Sequence, residues 1–133
     1  MKTIITAAVL ALSVSAFADM TANQMATEVA AEVSKGLPQQ LAGDTTLTAV
    51  ESLGSTLMAK AQMAYDREHT NQVMEKTGWT YEQMMDIHAT QTKNSICSNG
   101  NMKALIDLGG EVLYKYFYSD GILMTEVSVK SCE

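Results

Sequence analysis

Hydrophobic spacing divides the chain into helical and strand-like stretches. From Met20 to Leu37, the residues Met25, Val29, Val33 and Leu37 recur every four positions, with Ala22, Ala26 and Ala30 beside them. This lays one apolar stripe along a cylinder and predicts a helix. Asp19 or Thr21 is placed to cap its start; Gly36 and Pro38, the only proline, end it. Thr45 to Tyr65 changes to period two. Leu57, Ala59, Ala61, Met63 and Tyr65 alternate with Lys60 and Gln62, after a threonine-rich run carrying Leu47 and Val50. With Ser52-Leu53-Gly54-Ser55 as the turn, this predicts a β-hairpin. A helix over Leu57 to Tyr65 is the competing reading, because Ala and Met favour helices.

Asp66 to Lys76 is polar and reads as a loop or a short helix, and Thr77-Gly78-Trp79 as a break. Thr80 and Gln83 have capping-box spacing, so a second main helix should start there and run to about Cys97. Tyr81, Met84, Met85, Ile87, His88 and Ile96 supply its apolar side. Ser98-Asn99-Gly100-Asn101 ends it and caps a short helix, Met102 to Leu108, which Gly109-Gly110 terminates. In the last stretch Val112, Tyr114, Tyr116 and Tyr118 share one face, and Leu113, Lys115 and Phe117 the other. After the turn Ser119-Asp120-Gly121, Leu123, Thr125, Val127 and Val129 alternate with Met124, Glu126, Ser128 and Lys130. The expected fold class is α+β. Two β-hairpins form a four-stranded antiparallel sheet packed against helices, in the order α-ββ-α-α-ββ.

The N-terminus supplies an address. Lys2, the apolar run Ile4 to Val14 and Ala16-Phe17-Ala18 match a secretory signal peptide spanning residues 1–18. A retained N-terminal anchor is the alternative, but the run is short for a bilayer span. No cysteine lies near the cleavage site, which argues against a lipid anchor. Cleavage leaves a single domain of residues 19–133, with no membrane span. Lys2 is the only charge removed, so the net charge of −6 becomes −7. That acidity argues against nucleic acid and anionic membranes as partners. The two cysteines, Cys97 and Cys132, follow the export signal into an oxidising periplasmic or extracellular setting. They read as one disulfide closing the short helix and last hairpin, with free thiols or a metal pair as the alternatives.

Candidate chemistry is sparse. Glu82 and Asp86 are four apart on one predicted helix, and His69 and His88 are the only histidines. A metal site needs a third or fourth ligand, so a solvated acidic face is the simpler reading. No Ser or Cys has a nucleophile context, and G-x-S-x-G, phosphate-loop and HExxH motifs are absent from the sequence. No enzymatic activity and no cofactor are therefore expected. Nine methionines remain after signal removal, which raises a periplasmic copper carrier using Met84, Met85 and His88. Adaptable core packing is the other reading of these thioethers. Tyr114, Tyr116 and Tyr118 are either core or a partner-binding face for an envelope or secreted protein.

Cys97 at a helix end, the helix before Gly109, Leu113-Tyr114-Lys115-Tyr116, Asp120-Gly121 and terminal Cys132 follow one another in an order that resembles the quorum-sensing-regulated virulence factor family. The doubled Gly109-Gly110 and the Ala- and Met-rich strand Leu57 to Tyr65 depart from that family's pattern. The resemblance implies an exported bacterial α+β protein acting by protein–protein interaction, in virulence or secretion, with no catalytic residue to carry over. The element order is also similar, at the level of fold, to certain pilotins of type II secretion. Those are usually lipidated, and this chain has no lipidation cysteine.

Overall fold

A computed structural model describes residues 20–133. The signal peptide expected at residues 1–18 lies outside these described residues. Helix α1 (Ala22–Ser34) opens at Thr21, whose side chain accepts from the Gln24 backbone N–H while Gln24 reaches back to the Thr21 N–H. Met25, Ala26, Val29 and Ala30 are its buried stripe, as the four-residue spacing requires. Three strands follow: β1 (Gln39–Ala42), β2 (Thr45–Leu53) and β3 (Thr56–Met63). Then come α2 (Arg67–Thr77), α3 (Tyr81–Ser98), α4 (Gly100–Asp107), β4 (Glu111–Phe117) and β5 (Leu123–Val129).

The expected four-stranded antiparallel sheet is corrected to a five-stranded mixed sheet, ordered β1-β2-β3-β4-β5. The two predicted hairpins are present as β2–β3 and β4–β5. They join side by side through a parallel pair, from Thr56 opposite Glu111 to Gln62 opposite Phe117. The long crossover through α2, α3 and α4 makes that direction possible. β1 was not anticipated; Gln39–Ala42 is short, and its inward and outward positions carry no hydrophobic alternation. The segment from Asp66 is a full helix, α2, capped by the Asp66 carboxylate accepting from the His69 N–H. It has almost no buried residues, so no apolar stripe announced it.

One sheet face is covered by α1, α3 and α4. Leu57, Ala59, Ala61 and Met63 of β3 and Val112, Tyr114, Tyr116 and Tyr118 of β4 and the turn after it point into that core. The helix alternative for Leu57 to Tyr65 is thereby excluded. Each such fully buried large side chain contributes about 1.5–3 kcal/mol. Two bulges reset the alternation. In β2 the register shifts between Leu47 and Ala49, so the buried positions run Thr45, Leu47, Val50. In β5 the shift opposite Tyr116/Phe117 turns Met124 inward and leaves Leu123 exposed, the reverse of the simple alternation. The other sheet face carries the Lys115–Glu126 ion pair at 3.8 Å.

Cys97 and Cys132 form the disulfide, with Cα atoms 5.7 Å apart. It ties the tail after β5 to the end of α3. The doubled glycine has two separate reasons. Gly109 takes φ +93, with its N–H on the Ile106 carbonyl and the Gly110 N–H on the Leu105 carbonyl, a Schellman stop for α4. Gly110 lies where the chain passes close to Leu105 and the Ser55 carbonyl, at the start of the parallel pair.

Candidate functional site

Helix α3 faces the sheet with Met85, Ala89, Thr92 and Ile96. Of the apolar side expected for it, Tyr81 and Ile87 are exposed instead. His88, Gln91, Thr92 and Ser95 form a neutral polar stripe at i, i+3, i+4 and i+7. This stripe is one wall of a groove with about 360 Å³ of free volume. Leu41 and Ala42 of β1 and Thr45 of β2 form the opposite wall, and Tyr114 and Tyr116 line the space between. None of these nine residues carries a full charge at neutral pH, in a chain whose net charge is −6.

The tyrosine face is helix-covered core rather than an open ladder. Tyr118 is fully buried against Tyr65, with ring centres 6.4 Å apart. Tyr114 and Tyr116 are stacked at 5.7 Å and, although buried, both line the groove. The Tyr116 hydroxyl lies 2.8 Å from the Thr92 hydroxyl, which donates to the His88 carbonyl at 2.9 Å. Burial pushes the Tyr114 phenol well above its usual range, and the Tyr116 charge would add to this. Burial raises Tyr116 as well, with the Thr92 hydrogen bond pulling it back. Both therefore stay neutral hydrogen-bonding groups.

His88 packs its ring edge-to-face on Tyr116, with centres 4.2 Å apart. Burial lowers its pKa, opposed in part by the Asp44 carboxylate, so the imidazole is neutral at pH 7. Its Nε2 is buried and has no hydrogen-bond partner. His88 was singled out from the sequence, but as a partner of Met84 and Met85. His69 instead packs against Tyr65, with tilted rings whose centres are 4.9 Å apart. The methionines are dispersed, with Met25, Met58, Met63, Met102 and Met124 buried at separate points. Among the described residues no group of three or more His, Cys, Asp or Glu is placed to hold a metal ion. Nothing in this arrangement favours the copper-carrier alternative. Gln91, Thr92 and Ser95 escaped sequence reasoning; the signal was a neutral polar run at helical spacing where an apolar stripe was expected. Leu41, Ala42 and Thr45 carried no signal, because pairing beyond β3 places them there.

No protein-family model matches this chain, and no curated relative does. Three solved structures share its fold. A Pseudomonas aeruginosa protein predicted to be secreted aligns with TM-score 0.64 and 19% identity over 84% of this chain and 93% of its own. A pilotin of the Vibrio vulnificus type 2 secretion system aligns with TM-score 0.64 and 19% identity, covering 84% and 92%. The type II secretion pilotin AspS of Vibrio cholerae aligns with TM-score 0.60 and 19% identity, again covering 84% and 92%. The chain thus has the α+β fold found in small exported and secretion-associated bacterial proteins. Among the described residues no helix is long and apolar enough to cross a membrane.

Proposed function

We propose that this chain is a non-enzymatic exported envelope protein that works by protein–protein contact, with a component of a type II secretion system as its partner. The observation that carries the reading is the uncharged groove between α3 and the β1–β2 edge, on a fold shared with two type II secretion pilotins. Its walls offer aliphatic surface from Leu41 and Ala42 beside hydroxyl, amide and imidazole groups. That mixture suits a neutral polypeptide segment, which needs both apolar contact and hydrogen bonds. The unpaired Nε2 of His88 is a group such a segment would satisfy. Tyr114 and Tyr116 contribute to the same recognition, whereas Tyr118 acts through packing. The virulence-factor resemblance is supported by the residue order from Cys97 to Cys132, and virulence remains part of the proposal at that level. Residues 1–18 serve in it as the export signal.

The test replaces Gln91 by a photo-crosslinking amino acid in the cells that make the protein. The expected product is a covalent adduct with one type II secretion component, identified by mass spectrometry. It should vanish when Ser95→Glu places a charge in the groove at unchanged melting temperature. An equal adduct from a crosslinker at exposed Lys130, or none from Gln91, would refute the groove as the docking site.

A further inference from the structure

The groove holds one side chain whose charge can change near neutral pH. That side chain is His88, because the other lining residues are aliphatic, hydroxyl, amide or phenol groups. Its Nε2 is buried and has no hydrogen-bond partner. The hydroxyl hydrogens beside it are used elsewhere. Thr92 donates its single hydroxyl hydrogen to the His88 carbonyl at 2.9 Å. In the 2.8 Å contact between the two hydroxyls, Tyr116 is therefore the donor and Thr92 the acceptor. The imidazole meanwhile lies edge-to-face on Tyr116, with ring centres 4.2 Å apart.

Charges around His88 are few. On its own helix, Asp86 and Lys93 are turned roughly 160° and 140° away from it, at about 100° per residue. From β4 it meets the Tyr116 phenol, with Tyr114 beside that ring, and burial keeps both phenols neutral. From the turn between β1 and β2, the Asp44 carboxylate acts on it. Ala42 and Thr45, on either side of that turn, line the groove, while Asp44 itself is exposed. A proton on His88 therefore places a cation in an otherwise uncharged groove, with one solvated carboxylate to offset it. A segment seated there covers the ring and removes the water that would solvate the cation. The occupied groove thus holds a proton less well than the empty one. By linkage, the protonated groove holds the segment less well.

We infer that His88 is the proton gate of the groove: an uncharged polypeptide segment is held while the imidazole is neutral and released once it is protonated. The gate rests on the docking role proposed above. Burial holds the imidazole below 6.5 in the empty groove, and a seated segment lowers it further. Affinity is complete above pH 6.5 and falls as the pH drops between those two values. One proton limits the fall to about tenfold per pH unit. The probe is the adduct formed by the Gln91 photo-crosslinker. Envelopes from the cells that make the protein are equilibrated from about pH 8 to about pH 5 and irradiated. The adduct should be constant down to pH 6.5 and then decline. His88→Gln should abolish the decline. Asp44→Asn removes the offsetting carboxylate and should move the decline to lower pH. Proton NMR of the imidazole C2–H, with His69 the only other histidine, should show the same downward move of the His88 titration in Asp44→Asn. An adduct from the unaltered chain that stays constant across the series would overturn the gate and leave the docking role intact. So would an equal decline in His88→Gln, which would trace the effect to the partner or to unfolding. No adduct at any pH would remove the docking role and the gate together.

Discussion

Gly110→Ala probes the joint on which the sheet depends. A Cβ at this position would lie 2.5 Å from Leu105 Cδ1, 2.8 Å from Leu105 Cγ and 2.8 Å from the Ser55 carbonyl oxygen. Leu105 is fully buried and cannot swing aside, and the Ser55 carbonyl already accepts from the Glu111 N–H at 3.1 Å. The chain must move away from β3 where the parallel pair begins. Overpacking of this kind costs about 1–3 kcal/mol, and weakening the Glu111–Ser55 hydrogen bond adds about 1 kcal/mol. Restricting the unfolded chain returns about 0.4–1 kcal/mol. The net loss is about 2 kcal/mol, which for a domain of this size lowers the melting temperature by roughly 8 °C. Gly109→Ala is the control. It meets no atom within 4 Å but must hold φ +93, so strain of about 1–2 kcal/mol acts without a clash. Urea denaturation of both variants measures the two losses. A Gly110→Ala protein as stable as the unaltered one would refute the close approach, and with it this account of the joint.

Other expectations follow from the same structure. Replacing Cys97 and Cys132 by serine opens a link with sequence separation 35 and should cost about 4 kcal/mol in the chain-entropy model; calorimetry with and without reductant measures it. Tyr116→Phe removes the hydroxyl that meets Thr92 in a buried site, so a loss of about 1 kcal/mol is expected by urea denaturation. His88 is held below its usual 6.5, so the unfolded chain takes up the proton first. Its contribution is complete above pH 6.5 and falls away as the pH drops through and below that value. A stability-versus-pH series on His88→Gln should show a shallower acid slope; an identical slope would remove His88 from the account.

The features legible in the sequence are those whose cause is local. The Thr80–Gln83 capping box, the Thr21 cap and the Met25–Val29 stripe each depend on residues within one or two turns of helix. The Asp120-Gly121 turn and the two hairpins rest on neighbouring strands and on glycines at positive φ. In the candidate site, His88 and the tyrosines attracted notice for their chemistry, while the groove's other wall did not.

What the sequence by itself determined is an α+β chain, its caps and turns, two hairpins and the pairing of its only two cysteines. These follow from periodicity, capping and composition over short distances. Tertiary structure alone decided that the hairpins join in parallel, with Thr56 facing Glu111 across 55 residues, because no local pattern encodes which edge a strand selects. It also decided where bulges invert the alternation, exposing Leu123 and burying Met124. Finally, it placed β1 beside β2 and α3 over β4, which turns scattered neutral residues into one groove. Such juxtapositions arise from packing the whole core, so they appear only once the chain has closed on itself.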